Sequence, residues 1–136
     1  MNIGKLDFEG IRYGAATYKA HSGIVAAVAA AKGWNADGRT AVVGKAVTIT
    51  AGAEAGYGSA GDKLLGKINQ YEFDEYMTVQ DAGYTVFEGV SGSLPNPGDF
   101  VVVNGSGAVI PSTGAVGPAK AIAVDATTFE VMVLIG

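Results

Sequence analysis

From Leu94 to Ile110 the chain reads Leu94-Pro95-Asn96-Pro97-Gly98-Asp99-Phe100-Val101-Val102-Val103-Asn104-Gly105-Ser106-Gly107-Ala108-Val109-Ile110. Proline fixes φ and has no N–H to donate, so Pro95 and Pro97 stop whatever precedes them. The apolar run Phe100 to Val103 follows, and Asn104-Gly105-Ser106-Gly107 supplies residues that accept the positive φ of tight reversals. Ala108, Val109 and Ile110 then run back. The stretch predicts a β-hairpin entered through a rigid corner, and it offers no position for a catalytic group.

The flanking segments carry the same signals. Ala46-Val47-Thr48-Ile49-Thr50 alternates apolar and hydroxyl side chains, the period of a half-buried strand. Ala51 to Gly61 predicts a Gly/Ala loop, and Leu64 to Phe73 predicts a strand although neither parity is purely apolar. Tyr76 to Gln80 and Tyr84 to Val90 predict two strands joined by Asp81-Ala82-Gly83, a three-residue hairpin link with Gly83 left-handed. Beyond the central hairpin, Ser112 to Pro118 is a Gly/Pro loop. Ala119 to Val124 and Thr128 to Leu134 predict two closing strands, turned by Asp125-Ala126-Thr127. Strands at roughly ten-residue spacing with turns between them describe a mainly β domain, a small antiparallel barrel or sandwich. The 21 glycines fit short strands and tight turns better than long helices.

The first 43 residues read differently. Ser22 to Lys32 predicts one short helix: alanine has the highest helix propensity, Ser22 can cap it and Gly33 can end it. Trp34 follows in a polar, loop-like setting, as a core plug or an interface anchor. Met1 to Ala20 has no clean period, and its apolar residues Ile3, Leu6, Phe8, Ile11, Tyr13 and Tyr18 are separated by charges and glycines. Such a segment lies either on the domain's own core as a strand and loop, or extends as an arm whose anchors another chain completes. The expected organisation is an N-terminal arm with a short helical segment over residues 1–43 and a β-rich domain over 44–136.

Composition narrows the function. A chain of 136 residues suits one domain that buries roughly two thirds of its unfolded surface. Nine basic against thirteen acidic side chains give a net charge of −4, which argues against gripping a phosphate backbone through a basic face. No cysteine is present, so disulfides and thiolate metal sites are excluded. Lys5, Asp7, Glu9, Arg12 and Lys19 break up any signal-peptide core, and the longest apolar run, Ile24 to Ala31, is far shorter than the roughly twenty residues of a spanning helix. A soluble protein without a membrane partner is expected.

Gly56-Tyr57-Gly58-Ser59-Ala60-Gly61 matches G-x-G-x-x-G, which in a dinucleotide site needs a strand before it and a helix after it. Gly66 and the strand pattern that follows leave no length for that helix, so a flexible loop is the better reading. Ser59 and Ser91 both lack the glycines of a nucleophile elbow. His21 is the single histidine and cannot build a multi-imidazole metal site. Glu72, Asp74 and Glu75 lack the ligand ladder of a calcium loop and read as a solvated turn that also guards a strand edge. No catalytic residue, metal site or cofactor is expected, and the chain reads as a non-enzyme.

Gly44-Lys45-Ala46-Val47-Thr48-Ile49-Thr50, then Leu64-Leu65-Gly66-Lys67, the run from Tyr76 to Phe87, and Pro97-Gly98-Asp99 through Val109 together resemble the capsid decoration, or cement, proteins of tailed bacteriophages. The resemblance covers about two thirds of the chain and rests on strand and turn phrases. It implies a β-rich, tulip-like barrel that trimerises on the exterior of the virion head and fastens neighbouring major capsid protein subunits against internal DNA pressure. It also implies an N-terminal arm across the shell, with Ile3, Leu6, Phe8, Ile11 and Tyr13 as candidate contacts. Synthesis in the host cytoplasm and no direct nucleic-acid partner would follow. The alternative is a glycan- or surface-binding β module of a fibre or adhesin, with Tyr57, Tyr71 and Tyr76 as stacking faces.

Overall fold

The structure, a computed structural model, describes residues 14–32, 37–72, 74–114 and 117–136. The strands in chain order are β1 (Gly14–Ala20), β2 (Ala46–Ala51), β3 (Glu54–Gly56), β4 (Gly66–Tyr71), β5 (Tyr76–Glu88), β6 (Val101–Val103), β7 (Val109–Pro111), β8 (Ala119–Asp125) and β9 (Glu130–Ile135). One α-helix, α1 (Ser22–Ala31), and a 3-10 turn, Gly38–Ala41, lie between β1 and β2. The described residues are mainly β, as the hairpin pattern predicts, with a short helix where alanine accumulates.

Five strands close on themselves in the order β1-β3-β2-β4-β5, with β5 pairing back to β1. The barrel is mixed, because β1 runs parallel to β3 through Lys19↔Glu54 and Ala20↔Ala55, a pairing that sequential hairpins do not supply. Closure leaves these strands without the free edges that invite unwanted pairing. Inside lie Val47, Ala55, Ile68, Tyr71, Met77 and Val79, and Ile24 of α1 and Val42 join them as a plug. Gly14–Ala20 is therefore a barrel strand, and a boundary at residues 43/44 would cut through the barrel.

Strand β5 corrects the expected hairpin at Asp81-Ala82-Gly83. It runs unbroken for 13 residues, first against β1 and β4 and then, from Gly83 onward, against β9. Gly83 does take a positive φ of 97°, but within a continuing strand. The side chain of Gln80, only 6% exposed, holds this point: its Nε2 donates to Ala82 O and to Tyr84 O, both at 3.1 Å. One face of the strand serves two cores. Met77 and Val79 point into the barrel, whereas Phe87 enters a second core with Val101, Val103, Val109, Ala121, Val131 and Val133.

That second core lies between the β5-β9-β8 sheet and the β6-β7 ribbon. The predicted central hairpin is present, with Val102 opposite Ile110 and Val103 opposite Val109. Its turn works through a side chain: Asn104 Oδ1 accepts from Ser106 N at 2.8 Å and Ala108 N at 3.0 Å, while Gly105 and Gly107 take the positive φ values. The β8-β9 hairpin closes through residues 126–129, and Phe129, not a glycine, adopts the left-handed backbone there with φ 61°.

Candidate functional site

The arm contacts suggested by the sequence, Ile3, Leu6, Phe8, Ile11 and Tyr13, lie outside the described residues, as does Trp34. The first described residue, Gly14, pairs with Ala82. Nearby, Tyr18 OH donates to Asp81 Oδ2 at 3.1 Å. Burial first, then that bond to a carboxylate, push the Tyr18 phenol above its ordinary value, so the pair is a structural strut that spans two barrel strands.

Each motif weighed for chemistry has a structural use. The Gly56–Gly61 loop is followed by β4 and no helix, and it clamps the ribbon: Gly61 N donates to Val103 O at 3.0 Å, and Val103 N to Asp62 O at 3.1 Å. Asp62 Oδ2 accepts from Ser59 N at 2.8 Å and closes the loop on itself. His21 replaces the expected Ser22 as the cap of α1, its Nδ1 accepting from Gly23 N at 3.0 Å. The cap falls one residue earlier because His21 retains the extended backbone of β1 while its carbonyl accepts the first helical bonds. In the acidic turn, Asp74 Oδ1 accepts from Tyr76 N at 3.2 Å, and Glu75 has a positive φ of 67°. Among the described residues no group of three or more His, Asp or Glu is placed to hold a metal ion.

The tyrosines do not form a common stacking platform. Tyr71 is 5% exposed inside the barrel, Tyr57 is half-buried, and Tyr76 alone of the three is well exposed. The exposed large apolar side chains among the described residues are Val43, Ile49, Tyr76, Ile122 and Phe129, spread over different elements. Ile49, Phe129 and Val43 each line a recess. An apolar groove of about 460 Å³ runs beside Ile49, Leu64, Leu65 and Ile135, with Asp81 and Lys63 at its rim.

The second recess is a mixed polar and apolar cleft of about 420 Å³ where three loops meet: the end of β5, the β6-β7 turn and the β8-β9 turn. Phe129 forms one wall, and Glu88, Lys45, Asn104, Ser106 and Ser91 contribute polar groups. Lys45 Nζ and Glu88 Oε2 stand 3.4 Å apart, with Glu88 largely in solvent, a loose pair that contributes little to stability. Sequence reasoning missed this cleft because its residues come from four separate segments without a motif. The only local signal is an aromatic residue at a turn position that ordinarily takes glycine or asparagine.

No helix among the described residues is long and apolar enough to cross a membrane. No protein-family model and no curated protein matches the chain.

Proposed function

We propose that the protein is a structural virion component that binds the outer surface of a tailed-phage head as a homotrimer and cements neighbouring major capsid protein subunits against the pressure of packaged DNA. The observation that carries this reading is the succession of strand and turn phrases from Gly44 to Val109 that resembles the decoration family. These phrases fall on β2, β4, β5 and the β6-β7 ribbon, which form one connected framework. Within it Gly61, Asp62, Asn104, Gly105 and Gly107 serve turns and clamps, which suits a protein that acts by surface. Attachment at several points raises the effective concentration of each further contact, so modest single contacts give lasting decoration.

Co-sedimentation with undecorated heads tests the reading. The full chain is expected to pellet with heads, and a chain lacking residues 1–13, which keeps β1 whole, to lose most of that binding. A full chain that stays in the supernatant overturns the cementing role. Equal binding by the truncated chain overturns the assignment of Ile3, Leu6, Phe8, Ile11 and Tyr13 as contacts. The second reading, a glycan-binding surface module of a fibre or adhesin, draws on one observation, the cleft walled by Phe129.

A further inference from the structure

We propose that the cleft between Phe129, Glu88 and Asn104 is a binding site for a neutral saccharide. The inference rests on the second reading above and is independent of cementing. Four observations converge on it. First, the cleft has the size of a small-ligand site, which spans roughly 300–1,000 Å³, and it opens where three loops meet at one end of the second sheet.

Second, an aromatic side chain walls it: Phe129 is 38% exposed, and a ring of this kind offers an apolar face to the C–H side of a sugar. Third, Phe129 holds that place against its own backbone preference. Its φ of 61° belongs to the left-handed region, where a bulky side chain is a genuine outlier and glycine is at ease. Strained positions of this kind cluster at ligand clamps. Its carbonyl is also tied down, accepting from Gly89 N at 2.7 Å, so the turn that carries the ring is anchored to the end of β5.

Fourth, the polar groups match hydroxyls, each of which donates and accepts. Asn104 Oδ1 is committed to two backbone amides, which fixes the orientation of its amide and leaves Nδ2 to donate. The Glu88 carboxylate accepts, the Lys45 ammonium donates, and the exposed Ser91 and Ser106 hydroxyls do both. Lys45 and Glu88 offset each other in charge, so the site favours a neutral sugar over an acidic one.

The test is a titration of the isotope-labelled full chain, free of capsids, with methyl α-glucoside, methyl α-galactoside and N-acetylglucosamine, and with glucuronic acid as the acidic arm, followed by amide NMR shifts. At least one neutral sugar is expected to bind in the millimolar range and to move amides of residues 89–91, 104–108 and 128–130. The decisive variant is Phe129→Gly. It suits the left-handed backbone, which offsets part of the lost ring burial, so a folded chain with a modestly lower melting temperature is expected, while sugar binding falls at least about tenfold. No shifts with any neutral sugar, shifts confined to other surfaces, unweakened binding by Phe129→Gly, or tighter binding of glucuronic acid would each overturn the proposal. A glycan array that lights up equally for the parent and Phe129→Gly would sink this cleft and place glycan binding on another surface.

Discussion

Replacing Gln80 by methionine removes the amide that holds β5 together where it passes from one sheet to the other. The two side chains have similar length and volume, so packing at this 6%-exposed site changes little and the lost hydrogen bonds dominate. Both bonds run from Nε2, to Ala82 O and Tyr84 O at 3.1 Å. A neutral hydrogen bond contributes about 1 kcal/mol net, and two part-buried bonds are lost together, so the expected loss is about 2–3 kcal/mol. With an unfolding entropy of about 2.1 cal/mol/K per residue, that lowers the melting temperature of the 136-residue chain by about 7–10 °C. Thermal and urea unfolding measure the loss, and amide hydrogen exchange locates it. Exchange at residues 82–85 should accelerate more than in the middle of β9. A melting temperature within about 2 °C of the parent would refute the reasoning, because the bend would then be held by strand pairing alone.

Gly66→Ala should be more damaging, since a methyl group there collides with the backbone oxygen of Gln80 across the β4-β5 ladder; a loss above about 3 kcal/mol is expected in urea unfolding. His21→Ala removes the acceptor for Gly23 N and should cost about 1 kcal/mol, with hydrogen exchange fastest in the first turn of α1; unchanged stability would contradict the cap. The Thr127 and Thr128 amides hold the Asp125 carboxyl below its ordinary value of 3.8. A carboxyl with a lowered folded-state pKa stabilises fully above its ordinary value, and the contribution disappears as pH falls through the lower folded value. Asp125→Ala should therefore flatten the acid limb of stability against pH just below 3.8, and an unchanged limb in acid titration would rule the turn out as its source.

Legibility followed the range of the interactions that decide each element. The strands β2, β4, β8 and β9 and the β6-β7 ribbon were readable because alternation, prolines and Asn-Gly are local signals. Strand β3 hid inside a Gly/Ala loop: its three residues acquire strand character only by pairing with β1 on one side and β2 on the other. The Asp81-Ala82-Gly83 link misled for a related reason. A positive-φ glycine permits either a reversal or a bend within a strand, and what selects the bend is Gly14 against Ala82 and Ile135 against Gly83, contacts from the two ends of the chain. Seen from the sequence, Asn104 belonged to a backbone turn, whereas it acts by its side chain. The cleft was unreadable because Lys45, Glu88, Asn104 and Phe129 meet only after both hairpins have formed.

The corner Pro97-Gly98-Asp99 shows how the central stretch protects the fold. The barrel strands have no free edge, but β8 ends the second sheet and has an outer edge to cover. The corner covers it: Gly98 N donates to Ala121 O at 2.7 Å, and Ala121 N donates to Asp99 O at 2.8 Å, before Phe100 bridges to Lys120. Asp99 keeps the corner in shape by accepting from Asn96 N at 2.8 Å through Oδ2. Further along the same edge, Gly61 and Asp62 satisfy Val103 in the same way, and on the β7 side Val109 bridges to Gly89. The hairpin from Leu94 to Ile110 is thus paired along both flanks, and its own cost in order is offset by closing edges that would otherwise template association with other chains.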